Sequence, residues 1–253
     1  MFLDNKGGNS NSTQRKDLIT WFISQYGANK ILNLYADREF PSMDFIKFLL
    51  AEKVNFIFRI KDNILASDTV KKRLTLKSLK RLFRDLANGN YKAEDHIRKI
   101  LDNRIFLSAK RNQDGELIVL ISNQYHKDPF ELYAHRWHIE CMFNKMKTKG
   151  FNLENTHVIK PNRLVTLFSI VSLAYCYSCF LGEMRNNIKP IKTKIINKIE
   201  IKSASVFKYG FLLLQYVLVC ANRDKNIFKY LIDLLTGKVS KPHKKLMILM
   251  LNF

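Results

Sequence analysis

Residues 133–147 read Tyr-Ala-His-Arg-Trp-His-Ile-Glu-Cys-Met-Phe-Asn-Lys-Met-Lys, and the spacing of four of them decides how the rest of the chain is read. Tyr133, Arg136, Glu140 and Lys147 follow the pattern Tyr-x2-Arg-x3-Glu-x6-Lys. On an α-helix at roughly 100° per residue they fall within an arc of about 60°. One face then carries a phenol, a guanidinium, a carboxylate and an ammonium. A carboxylate offers hard oxygen donors to a divalent cation. Arginine grips phosphate as a planar fork and lysine as a point charge. The tyrosine can donate to a phosphate oxygen or stack on a base. Such a face suits a nucleic-acid backbone held beside a metal. By charge pattern alone it reads first as a solvated helix face, with Arg136 and Glu140 as an ordinary i,i+4 pair.

The flanks define the helix. Asp128-Pro129 supplies an N-cap and a proline at the first helical position. The helix is expected to run to about Lys149, with Gly150 as its stop. Upstream, Ile31–Ala36 reads as a buried strand with Asp37 at its carboxyl end, where α/β sheets tend to place ligand and metal groups. A helix over Ser42–Glu52 and a strand over Asn55–Lys61 follow. This βαβ order predicts a parallel strand pair.

The Tyr-Arg-Glu-Lys spacing resembles the signature of insertion-sequence transposases of the DDE class, in the insertion-sequence-four family. The segment Ala36-Asp37-Arg38-Glu39-Phe40 after a strand is similar to the one that bears that family's second acidic residue. Gly150–Val158, after the helix, is similar too. The resemblance implies an α/β, RNase H-like fold with a β-rich insertion and a helical C-terminal region. It implies Asp37 and Glu140 as catalytic, metal-binding carboxylates, with Tyr133, Arg136 and Lys147 on DNA phosphates. Arg38 joins the DNA-binding set on its chemistry. The cofactor implied is Mg2+ or Mn2+, two ions spanned by three carboxylates. The partner implied is double-stranded DNA at transposon ends, and the reaction is metal-dependent strand cleavage and transfer.

The family's first aspartate has no counterpart in this reading. Only 36 residues precede Asp37, and neither Asp4 nor Asp17 is assigned the role. The expectation is an N-terminally truncated transposase lacking the first strands of its sheet. The alternative is a catalytically dead DNA-binding remnant, or an inhibitor that pairs with a full-length transposase. A homodimer is the other assembly considered.

Composition agrees with a polyanionic partner. The 253 residues carry 43 Lys and Arg against 22 Asp and Glu, a net charge of +21. Nucleic acid is the commonest partner of such a chain, and an anionic membrane surface is the rival. A hydrophobic fraction of 47% supports a substantial core. Cys141, Cys176, Cys179 and Cys220 lie in apolar or helical surroundings and read as reduced thiols. The opening residues have no apolar stretch of signal-peptide length. The expected location is the bacterial cytoplasm, at the nucleoid.

Organisation is read in four parts. Residues 1–63 are a partial catalytic core carrying Asp37. Residues 64–123 are the β-rich, basic insertion, with seven basic residues and no acid in Lys71–Arg84 and hairpin strands about Asp114-Gly115. Residues 124–183 complete the core with the Glu140 helix, and 184–253 are helical. Leu164–Leu181 has no formal charge and just permits a membrane span by length. Its hydroxyl and cysteine residues, and the absence of a second such segment, favour a buried core helix and no membrane partner. Cys176-x2-Cys179 within it reads as packing rather than a zinc site.

Overall fold

The computed structural model describes residues 10–70, 73–196 and 199–252. Asp4, and Lys71 and Lys72 of the basic run, lie outside them. The chain divides into two compact units, residues 1–138 and 139–253.

The first unit is built on a seven-stranded mixed sheet. Helix α1 (Ser12–Tyr26) opens it with a capping box, in which the Asn11 side chain accepts from the Gln14 N–H and the Gln14 side chain accepts from the Asn11 N–H. Strand β1 (Leu34–Ala36) follows, then helix α2 (Met43–Ala51), capped by Ser42, and strand β2 (Phe56–Ile60). β1 and β2 pair in parallel with Leu34 opposite Phe56 and Ala36 opposite Phe58, as the βαβ order requires. Strand β1 is shorter than the sequence suggests, because Ala28–Lys30 forms a 3-10 turn first.

Strands β3 (Leu65–Val70), β4 (Arg73–Ser78), β5 (Tyr91–Ile100), β6 (Asn103–Arg111) and β7 (Leu117–Ser122) extend the same sheet by antiparallel pairing. The order is β1-β2-β7-β6-β5-β3-β4. A short helix, α3 (Leu79–Leu82), follows β4. The β-rich stretch is therefore continuous with the β1–β2 pair, because β7 pairs along β2 with Phe58 opposite Ile121. Gly115, at φ +89°, makes the turn between β6 and β7 that Asp114-Gly115 signals. One face of the sheet buries Phe45, Ile46 and Leu49 of α2 with Phe56, Phe58, Ile105, Leu107 and Val119. Phe45 and Phe58 stack with centroids 6.0 Å apart.

Strand β5 was not legible as a strand, since Tyr91–Ile100 has no apolar alternation. Its charges are held internally. Glu94 is buried and takes a bidentate pair from Arg98, which also donates to the Ser67 carbonyl. A register shift between Ala93 and Ile97 lets the two charges meet on one strand.

The second unit is helical. Helix α6 (Pro161–Ile188) and helix α7 (Val206–Ala221) pack antiparallel, and helices α8 (Lys225–Leu235) and α9 (Lys244–Asn252) complete a core of Leu181, Leu213, Val217, Leu231, Leu246 and Met250. A two-stranded ribbon, β8 (Thr193–Ile196) with β9 (Ile199–Lys202), lies between α6 and α7 in sequence. The α6–α7 crossing is set by Gly182 and Gly210, which face each other's helix with no room for a side chain.

Helix α6 is, among the described residues, the one helix long and apolar enough to cross a membrane. It is not the wholly buried helix expected from sequence. Only 17% of its most apolar window is buried, along a stripe of Val171, Ser178, Leu181, Gly182 and Arg185. Its hydroxyls are satisfied within the helix: Ser169, Ser172 and Ser178 donate to the carbonyls of Val165, Phe168 and Ala174. Arg185 donates to the carbonyls of Met250 and Tyr209 and lies 3.8 Å from the Tyr209 ring centroid.

Candidate nucleic-acid interface

The residue spacing that opened the sequence reading assumed one continuous helix, and the chain breaks it in two. Helix α4 (Pro129–Ala134) begins as expected, with the Asp128 side chain accepting from the Glu131 N–H at 3.2 Å and Pro129 at the first position. Helix α5 (Trp137–Lys147) follows after a turn at His135-Arg136. There the N–H groups of Arg136 and His138 donate three residues back, to Tyr133 and His135. Such i,i+3 bonds advance the chain by about 120° per residue instead of 100°. Residues therefore keep the 100° spacing within each helix and not across the turn. Tyr133 and Arg136 belong to the first unit, and Glu140 and Lys147 to the second.

In the first unit, Asp37 follows β1 at its carboxyl end, half-buried. Its Oδ1 accepts from the Arg38 N–H at 2.7 Å, and its carbonyl closes a turn with the Phe40 N–H at 3.0 Å. Tyr133 reaches back to this strand end, where its hydroxyl donates to the Ala36 carbonyl at 3.3 Å. Arg136 sits with its guanidinium carbon 5.8 Å from the Tyr133 ring centroid. Burial pushes the Tyr133 phenol up to about 12, and the nearby Asp37 carboxylate pushes the same way against Arg136 and Arg59. At neutral pH Tyr133 is therefore a protonated donor. The Asp37, Tyr133 and Arg136 positions picked out in the sequence are thus brought together in this unit. Arg38 is exposed beside them. Arg59, the strand residue whose charge acts on Tyr133, was not among the candidate site residues. Its signal was Arg59-Ile60-Lys61 at a strand end, where period-two alternation puts both cations on one face.

In the second unit, Glu140 and Lys147 stand seven residues apart on α5, which is about two turns, and share one stripe. Glu140 lies in the first turn and Lys147 in the last. Each charge is placed to suit the helix dipole.

Carboxylate oxygens are hard donors, suited to Mg2+ or Mn2+. Asp37 and Glu140 are two such groups, one in each unit. Among the described residues, no group of three or more His, Cys, Asp or Glu gathers as a metal site.

The chain matches the family model described as the transposase DDE domain over residues 2–177, more than half of its length. No curated protein matches it.

Proposed function

The chain belongs to the transposase DDE-domain family, and from that premise we propose that it engages double-stranded DNA at transposon ends in the manner of an insertion-sequence-four transposase with an RNase H-like core. The observation that carries this is the placing of Tyr133, with Arg136 beside its ring, at the end of β1 next to Asp37. In this reading Tyr133 turns its protonated hydroxyl from the Ala36 carbonyl to a phosphate oxygen and Arg136 gives its fork to phosphate oxygens, with Lys147 and Arg38 adding point and fork contacts. Asp37 in the first unit and Glu140 in the second are each a carboxylate donor suited to a divalent ion. When bound, such an ion supplies Lewis-acid stabilisation of the phosphoryl oxygens. DNA is the partner, the cytoplasmic nucleoid the place, and no membrane is invoked.

A second reading is a DNA-binding protein without strand cleavage that pairs with an active transposase. One set of variants separates the two. Arg136→Ala and Lys147→Ala should each weaken binding to duplex DNA by about tenfold, since a charge-assisted phosphate contact is worth about 1.5–3 kcal/mol. Glu140→Ala should leave binding in metal-free buffer within about twofold. If the wild-type chain nicks or joins DNA in Mg2+ or Mn2+, Glu140→Ala should abolish it. Wild-type binding without cleavage establishes the second reading. Full binding by both Arg136→Ala and Lys147→Ala contradicts the assignment of these helices.

A further inference from the structure

The first unit carries an open basic cleft of about 840 Å3 apart from the Tyr133–Arg136 pair. Its walls come from four places: Arg38 after β1, Arg59 to Asn63 at the end of β2, Lys80 and Arg84 on and after α3, and Arg111 with Glu116 at the β6–β7 turn. Six cations face two carboxylates, Asp62 and Glu116.

The cations divide into two kinds. Arg111 is structural: its guanidinium donates to the carbonyls of Phe83, Leu86 and Gly115 at 2.8–3.0 Å, tying the α3 loop to the β6–β7 turn. Arg59 is held by Glu116 at 2.6 Å. The backbone beneath is fixed as well, since the N–H groups of Leu79 and Lys80 donate to the carbonyls of Ile64 and Asp62. On this frame stand Arg38, Lys61 and Lys80, which are exposed and have no carboxylate partner among the described residues. Arg84 has only its exposed neighbour Asp85, a pair worth little in water. A rigid concave wall with unneutralised cations along it concentrates a polyanion.

The cleft is joined to the candidate site. Arg38 lines it and is the residue next to Asp37, and Arg59 lines it while acting on Tyr133. We infer that this cleft carries the phosphate backbone of the DNA strand leading to Asp37, with Lys61, Lys80 and Arg38 on successive phosphates. This rests on the proposed function and extends it to a part of the sheet that the Tyr-Arg-Glu-Lys spacing does not reach.

The test uses the full chain and a fluorescent 30-base-pair duplex of arbitrary sequence, with anisotropy followed from low to high salt. Three proteins are compared: the wild type, Lys61→Gln with Lys80→Gln, and Lys225→Gln with Lys229→Gln as a control of equal charge loss. Circular dichroism verifies that each is folded. The cleft variant should bind about tenfold more weakly at 0.1 M salt, with its log–log salt slope shallower by about two, roughly 0.9 per lost phosphate contact. The control pair should change affinity by less than about threefold. Equal losses in both double variants would mean bulk charge alone and overturn the cleft. A cleft variant that matches the wild type, in a wild type that binds with a steep salt slope, overturns the cleft and leaves the proposed function standing. A wild type with no salt-dependent binding overturns both.

Discussion

Gly210→Ala is expected to unfold the helical unit of residues 139–253. An added Cβ would lie 1.8 Å from the Ser178 carbonyl oxygen, 2.4 Å from the Gly182 nitrogen and 2.8 Å from the Gly182 Cα. All three are backbone atoms, so no side chain can rotate away. Relief requires α6 and α7 to separate. That would disrupt the packing of Leu181 on α6 with Leu213 and Val217 on α7. Overpacking commonly costs about 1–3 kcal/mol, and more where backbone must move. With two helix backbones forced apart the expected loss exceeds that range and reaches the lower end of the about 5–15 kcal/mol total for a domain. Gly237 is the matching control. It has φ +73° and nothing within 4 Å of an added Cβ, so Gly237→Ala should cost only about 1 kcal/mol of backbone strain. Pulse proteolysis across a urea series distinguishes them. Gly210→Ala should leave residues 139–253 cleavable without denaturant, whereas Gly237→Ala should shift the midpoint slightly. A wild-type midpoint for Gly210→Ala would mean the two helices do not cross at these glycines.

Glu94→Ala should be the most damaging single change in the sheet. The Glu94 side chain is 2% exposed and that of Arg98 10%. Removing the carboxylate strands a guanidinium that the strand geometry keeps from water. Breaking a buried pair on one side costs about 3–5 kcal/mol. The double change Glu94→Met with Arg98→Met removes both charges, and Arg98 also gives up its bond to the Ser67 carbonyl. It should recover most of the loss, to within about 1–2 kcal/mol of the wild type. Urea denaturation of the four proteins in this cycle measures the coupling. Equal losses for the single and double variants would show that Glu94 acts through packing rather than charge.

Different parts of the molecule were legible for different reasons. The β1–α2–β2 unit was legible because apolar runs, the Ser42 cap and the Asp37 strand end all point to one parallel pair. Helix α4 was legible from Asp128-Pro129 alone. The break after Ala134 was not, because His135 and Arg136 are acceptable helix residues and nothing in their chemistry stops a helix. Strand β5 hid because its buried positions include a carboxylate and a guanidinium, and an apolar-alternation rule has no weight for a charge pair that satisfies itself. The ribbon β8–β9 hid for the opposite reason, since Thr193–Ile196 is exposed and no burial pattern marks it. Helix α6 was read as buried from its hydroxyl and cysteine residues and its being the one such segment, yet those features require only that some face is covered. For the candidate site, the sequence singled out Asp37, Tyr133 and Arg136, which the fold gathers at the end of β1. It could not show Arg59, Lys61 and Lys80 gathering in one cleft, because their nearness comes from sheet order and the α3 loop.

The central claim, that this chain meets DNA along the β1 end and the Tyr133–Lys147 segment, is tested most directly by photo-crosslinking. A duplex carrying 5-iodouracil at successive positions is bound to the full chain, irradiated, digested and mapped by mass spectrometry. The account predicts crosslinked peptides within 133–147 and within 59–84, lost together in high salt. Crosslinks confined to residues 184–252, or none at low salt, would contradict it.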